Sequence, residues 1–515
     1  MAIYKQRKFW MLGLSAFVLF TAMICFRLGF HLNTVAVTGE NSSKMRTEQP
    51  PGETWMDILQ NDTKIGYSHR RLATAGDGYL IDEKTVMNIN TMGLVQEIRV
   101  VSSSTTNQDF ALEEFKFSIA SGTFHFVVNG QVKEKILHLY THSATDAGGA
   151  GTGNTLEIPL ENRPYLTSAI LPATMASGLK PGNEMMLFLF DPSTMGQAPA
   201  TVKMVGSDPL IMDGEEIVAR KITLSFKGAT QSAWVDDEGQ VLKERGMLGI
   251  TLVKTTRKEA MGDIDPEGMA DLTTLVSVPS NVKFHDPGVL TNLQIKLSGV
   301  DIKKISLAAK GPSQHRQTWN KDILTIEKET LGTLPASIPP KELAGVDKKF
   351  ILPGPFIQSD DDRIQRIARR LVSPDNTPLE NIGKLVAWIQ ANIRRQPVIS
   401  LPNALSTLTN RMGDCNEHAA LMAAFCRSVG IPASIEAGLV YLKGRFYYHA
   451  WNTVFIGRWI TVDALFNQIP ADVTHISLTA GSQESQLDLM GVMGKIKLEV
   501  LAYNIHGCKT SHNEK

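Results

Sequence analysis

Between Thr54 and about Ala260 apolar and polar residues alternate in short runs broken by turn formers, the period of a half-buried antiparallel strand. Trp55-Met-Asp-Ile-Leu59 and Lys64-Ile-Gly-Tyr-Ser-His69 flank Asn61-Asp62, and Phe115 to Ile119 precedes Thr123 to Val128, with a turn predicted at Asn129-Gly130. Trp234-Val235 and Gln240 to Leu242 form a further hairpin through Asp236 to Gly239, and a helix is expected near Pro164 to Leu179 before the Lys180-Pro-Gly-Asn183 turn. A second β-rich stretch spans about Thr273 to Pro340, with Leu293 to Leu297 and Ile323 to Glu327 as strands.

The period then changes. Ile364, Ile367, Ala368 and Leu371 share one helical face, and Thr377-Pro378-Leu379-Glu380 opens a second helix carrying Ile382, Leu385, Val386, Ile389 and Ile393. A helix from Cys415 stops at Gly430-Ile-Pro432, and strands follow at Ser434 to Leu442, Phe446 to Phe455 and Arg458 to Asp463, the last two turning at Gly457. The expected class is α+β. The expected organisation is 1–30 cytoplasmic stub and membrane anchor, 31–53 polar linker, 54–272 antiparallel β-rich domain, 273–350 second β-rich region, 351–505 catalytic domain and 506–515 polar tail.

The anchor rests on Lys5, Arg7 and Lys8 ahead of an uncharged run from Phe9 to Phe26 closed by Arg27. That run is long for a signal-peptide core and just spans hydrocarbon, and no small-x-small cleavage site follows, so one transmembrane helix is expected through residues 9–26. A removed signal peptide is the alternative. Positive residues before the span place the N-terminus in the cytoplasm and the remaining chain in the periplasm or its equivalent. Ala22-Met-Ile24 before Cys25 disfavours lipidation.

Composition narrows the chemistry. Lys+Arg and Asp+Glu both total 52, which argues against a nucleic-acid partner held by bulk charge. Four scattered cysteines, Cys25, Cys415, Cys426 and Cys508, make neither a disulfide framework nor a paired zinc site, so any cysteine chemistry uses a single thiol. Cys415 is predicted at a helix N-terminus, where unpaired N–H groups and the dipole favour thiolate, lower the thiol pKa toward neutrality and offer oxyanion donors. His449 and Asp463 lie on the two arms of the Gly457 hairpin as rough cross-strand neighbours, so one imidazole nitrogen would take the thiol proton while Asp463 holds the other.

Gly413-Asp414-Cys415, Glu417-His418-Ala419, Gly430-Ile-Pro432-Ala433, Gly438-Leu-Val-Tyr441, His449-Ala-Trp451 and Trp459 with Asp463, in that order, resemble the bacterial transglutaminase-like superfamily. The likeness spans about Asp360 to Val500. It implies a papain-like triad of Cys415, His449 and Asp463, and Pro470 to Ile476 resembles the segment that commonly follows the aspartate strand. Ala464 stands where a proline often follows the aspartate. The β region resembles the N-terminal extension of some envelope members.

Asp414, Trp388, Trp451, Trp459 and His475 are candidates to line or support the site, core packing or a structural polar contact being the plainer account of the tryptophans and of His475. Cys426 reads as core. Glu417 and His418 beside Cys415 point in different directions on one turn, so no metal is expected, and no cofactor either. Asp263 to Gly268 lacks the bidentate acid of a calcium loop, Thr274 standing at position twelve, and Gly148 to Gly153 lacks the Lys-Ser/Thr of a phosphate loop. The expectation is a membrane-anchored thiol enzyme acting by hydrolysis or acyl transfer on protein or peptide amides of the cell envelope. Protein cross-linking, or a non-catalytic module binding peptide or cell wall, are the alternatives.

Overall fold

The computed structural model describes residues 50–511, apart from 92, 123, 146–151, 193–195, 213, 227–228, 265–268, 304, 306–310, 333–336, 397–402, 482–491 and 506–507. The predicted anchor, most of the linker, Gly148 to Gly151 and residues 265–268 of the acidic run lie outside them. Among the described residues no helix is long and apolar enough to cross a membrane. These residues form two compact units, 50–272 and 273–511.

The first unit is one sheet of fifteen strands. Eight strands meander from Gly52–Gln60 to Thr152–Pro159; the opening strand also pairs with Ile250–Thr255, which joins the second run of strands to the first. Alternation drives it: in Leu94–Thr106 the residues Ile98, Val100, Ser102, Ser104 and Thr106 are buried and those between them face outward. Phe115 and Phe190, from strands well separated in the sheet, pack with their rings tilted and 5.7 Å apart, so the sheet curls over its own core.

Two local expectations fail here. The strand Phe124–Lys133 runs straight through Asn129-Gly130, pairing with Leu112–Ser121, and the chain turns later, where Glu134 has φ 55°. Gly130 is needed for packing instead: a Cβ there would strike the Phe115 ring. The helix expected over Pro164 to Leu179 shrinks to Ile170–Ala176, because Pro164–Tyr165 pairs with the strand Glu184–Asp191.

The second unit contains, in order, β1 (Leu290–Ser298), β2 (Gln317–Asn320), β3 (Ile323–Glu327), α1 (Asp362–Leu371), α2 (Pro378–Asn392), α3 (Ala404–Asn410), α4 (Cys415–Ser428), β4 (Ala433–Leu442), β5 (Arg445–Phe455), β6 (Trp459–Val462), β7 (Ile476–Gly481) and β8 (Lys497–Ile505). Thr377 caps α2 with Glu380 reciprocating, the arrangement its sequence predicts. The side chains of α4 from Cys415 to Cys426 are all buried, with Trp388 of α2 edge-on to Phe425. Stretches 273–350 and 351–505, read apart in the sequence, share two sheets. β1 pairs with β3 and with β8, and Val278–Pro279 adds to β5, which pairs with β4 and β6.

Candidate active site

Asp414 caps α4. Its carboxylate accepts the Asn416 N–H at 2.9 Å and its own N–H donates to Glu417 Oε2 at 3.0 Å, which leaves Cys415 as the first helical residue with its N–H outside the helical ladder. A Cβ on Gly413 would collide with the Glu417 side chain, so glycine permits this tight entry. Asn452 of β5 donates to the carbonyls of Ala419 at 2.9 Å and Ser434 at 3.3 Å, fixing α4 on the sheet.

His449 Nε2 lies 2.6 Å from Asp463 Oδ2, and Asp463 Oδ1 accepts the Phe466 N–H at 2.8 Å. That contact makes Nε2 the donor, so Nδ1 carries the free lone pair; Nδ1 is buried and makes no hydrogen bond. The register Asn452 to Val462 puts Asp463 just past the end of β6, diagonal to His449 rather than directly opposite. The backbone N–H of Ala450, next to His449, donates to the Cys415 sulfur. The Cys415 sulfur and the His449 ring are thus both tied to neighbouring residues of β5, without a thiol-to-Nδ1 hydrogen bond at rest.

The expected low thiol pKa is not found. Burial, then the carboxylates of Asp414, Glu417 and Asp463, push the Cys415 thiol well above its ordinary value and outweigh the helix end. Burial lowers the His449 pKa, and the attraction of Asp463 does not fully offset it. The resting pair is therefore neutral thiol and neutral imidazole. Asp414 is itself pushed well up by burial and by Glu417, while Cys426, in the core of α4, rises to about 12. Asp463, despite burial, is held far below the carboxylate range by His449 and His475.

His475 completes the cluster. Its Nε2 lies 3.0 Å from Asp463 Oδ2 and its Nδ1 3.3 Å from Asp472 Oδ1, and Trp451 packs edge-on at 5.2 Å. Trp451 Nε1 is buried without a partner. Trp388 and Trp459 sit elsewhere: Trp388 lies against Phe425 with the Arg411 guanidinium 4.8 Å over its ring, and Trp459 packs on Phe350 and Phe455. Ligand atoms of His449, Asp463 and His475 all lie within 4.8 Å of one another, the one such trio among the described residues. Asp463 Oδ2 accepts from both imidazoles, which accounts for that closeness through hydrogen bonds.

Other groups at the site were given no role from the sequence, although His418 stands in one of its motifs. His418 donates from Nδ1 to Asp414 O at 2.6 Å, and burial lowers its pKa to about 4, leaving a neutral, buried, unpartnered Nε2. Arg395 bonds Gln390, which in turn bonds the carbonyls of Ala464 and Leu465, and its charge reaches Asp463 and His418. Arg316, from the 273–350 stretch, bonds Thr461 Oγ1 at 2.8 Å and the carbonyls of Ala471 and Asp472 at 2.9 and 2.6 Å. Gln317 exchanges two hydrogen bonds with Ser477. These contacts hold the loop that carries His475, and nothing in the local pattern at 316–317 announces them.

Residues 365–464 match the family model of the transglutaminase-like superfamily, so the C-terminal part of the chain carries a transglutaminase-like domain behind a large β-rich region. Two solved structures are similar. One, from Cytophaga hutchinsonii, is described as a "putative cysteine protease" and is 17% identical, with a TM-score of 0.27 over 44% of this chain and 88% of that one. The other, a beta-barrel-like protein of a domain of unknown function from Brucella abortus, is 10% identical, with a TM-score of 0.30 over 41% of this chain and 96% of that one. No curated protein matches.

Proposed function

We propose that this is an exported thiol enzyme that hydrolyses, or transfers the acyl group of, protein or peptide amides, with Cys415 as nucleophile, His449 as its base and Asp463 as the residue that orients the base. The supporting observation is the tautomer fixed by the 2.6 Å contact of His449 Nε2 with Asp463, which leaves a buried, unpartnered Nδ1 beside the residue whose N–H bonds the Cys415 sulfur. With both partners neutral at rest, His449 takes the thiol proton as the sulfur attacks the amide carbon. The Cys415 N–H at the start of α4 is placed to meet the developing oxyanion. The resulting imidazolium gives its proton to the leaving amine, and water or a second amine resolves the thioester. The export part of this reading is supported by the apolar run 9–26 and its flanking charges in the sequence.

The test is to incubate the full chain with a peptide library drawn from the cell envelope, quench in acid and seek an acyl adduct on the tryptic peptide containing Cys415. The expected result is an adduct on Cys415 that is absent from His449→Ala. Peptide turnover that persists in Cys415→Ala would end the proposal.

A further inference from the structure

His475 has an environment that the triad alone does not require. It is fully buried, and each ring nitrogen faces a different carboxylate: Nε2 faces Asp463 Oδ2 at 3.0 Å and Nδ1 faces Asp472 Oδ1 at 3.3 Å. A neutral imidazole has one N–H and one lone pair, so in that form one nitrogen would present its lone pair to a carboxylate inside the protein. Only the doubly protonated ring donates to both.

The far carboxylate is built to stay charged. Asp472 accepts at Oδ1 from the Thr474 N–H at 2.8 Å and hydroxyl at 2.6 Å, and at Oδ2 from Gln468 Nε2 at 2.9 Å, while Arg316 grips its backbone carbonyl. The cluster thus alternates imidazole and carboxylate across the fold: His449 on β5, Asp463 after β6, His475 before β7, and Asp472 in the loop between.

We propose that His475 is a positioning residue, doubly protonated at neutral pH, which, clamped between Asp463 and Asp472, pins the Asp463 carboxylate on His449 and by its charge helps burial keep His449 neutral in the resting site. The inference rests on the triad reading above and deepens it by naming a charge that, together with burial, holds the base neutral. Both carboxylates raise the His475 pKa, to about 9 in spite of burial. The His475 charge in turn opposes protonation of His449. Further charged or titratable groups around the cluster include Arg395, which acts on Asp463; Cys415, His418, Asp414 and Glu417 at the start of α4; Arg316, paired with Glu329 at 3.1 Å; and Glu436, hydrogen-bonded to Ser477 of β7. Trp451 and Phe466 supply the apolar walls, their rings 5.2 and 6.0 Å from that of His475.

The experiment is a nitrogen NMR titration of the full chain labelled in its histidine rings, with the His449 and His475 signals assigned by His449→Gln and His475→Gln. In the unsubstituted chain His475 is expected to show two protonated ring nitrogens at pH 8 while His449 shows one. In His475→Gln the His449 titration midpoint is expected to rise by about one pH unit, since a nearby cation has been removed. Asp472→Asn, which keeps the ring but removes one carboxylate of its clamp, is expected to lower the His475 midpoint. A neutral His475 at pH 8 in the unsubstituted chain overturns the proposal, and that reading needs no variant to fold. So does an unmoved His449 midpoint in folded His475→Gln. Failure of the triad reading shows separately, as alkylation of Cys415 that ignores the protonation of His449.

Discussion

Asp463 holds three partners with two oxygens: the Phe466 N–H on one, and the imidazoles of His449 and His475 on the other. That sharing ties the site to stability as a function of pH. His475, raised from 6.5 to about 9 on folding, contributes stability that is complete below about pH 6.5 and is lost as pH climbs through 9. Asp463 and Asp472, held below their unfolded 3.8, contribute above that value and lose it in acid. His418, lowered to about 4, also favours unfolding once pH drops below 6.5. Stability should therefore peak near neutrality, and the denaturant midpoint at pH 8 should fall below that at pH 6.5, a loss that largely disappears in His475→Gln; above pH 9 the buried thiols of Cys415 and Cys426, whose pKa values rise on folding, add a loss common to both chains. An equal decline in both chains would contradict the clamp. At this scale the sequence singles out Cys415, His449 and Asp463 by residue type and order, and the structure bonds His449 to Asp463. The sequence misjudges the thiol because a helix end was weighed alone, whereas the residues that cap that end, Asp414 and Glu417, also bring negative charge and full burial. The role of His475 depends on Asp472, three residues away in a loop, where no periodicity points.

β7 follows directly from His475 and meets β4 at a bulge between Ala437 and Gly438. A Cβ on Gly438 would run into the carbonyl oxygen of Ile476, so glycine is what lets the two strands approach here. Gly438→Ala should lower the unfolding free energy by about 1–3 kcal/mol, as overpacking does, and should move the ring signals of His475; urea unfolding and the same NMR spectra check both, and a substitution silent in each would refute the close-approach account. Elements of this part of the chain were legible. Ile323–Glu327 and the start of α2 match their sequence signals because alternation and a capping box are local. Asn129-Gly130 misled because a glycine beside an asparagine signals a turn only when nothing packs on it, and the Phe115 ring, from a neighbouring strand, does.

Across the whole chain the pairings that matter join distant segments. β1 meets β8 about two hundred residues later, and Arg316 and Gln317 reach the loop and strand around His475. Sequence periodicity reports which residues form strands but not which strands meet, so the stretch 273–350 reads as separate although it shares sheets with the transglutaminase-like domain. The central claim is that a neutral, buried Cys415 is made nucleophilic by His449, while Cys426, equally buried on the same helix, has no such base. The most direct measurement is the iodoacetamide alkylation rate of each cysteine in the full chain from pH 5 to 9, read by mass spectrometry and repeated in His449→Gln. The account predicts that Cys415 reacts much faster than Cys426, with a rise that follows deprotonation of His449, and that this advantage is lost in His449→Gln; equal rates for the two cysteines, or a Cys415 rate untouched by the substitution, would contradict it.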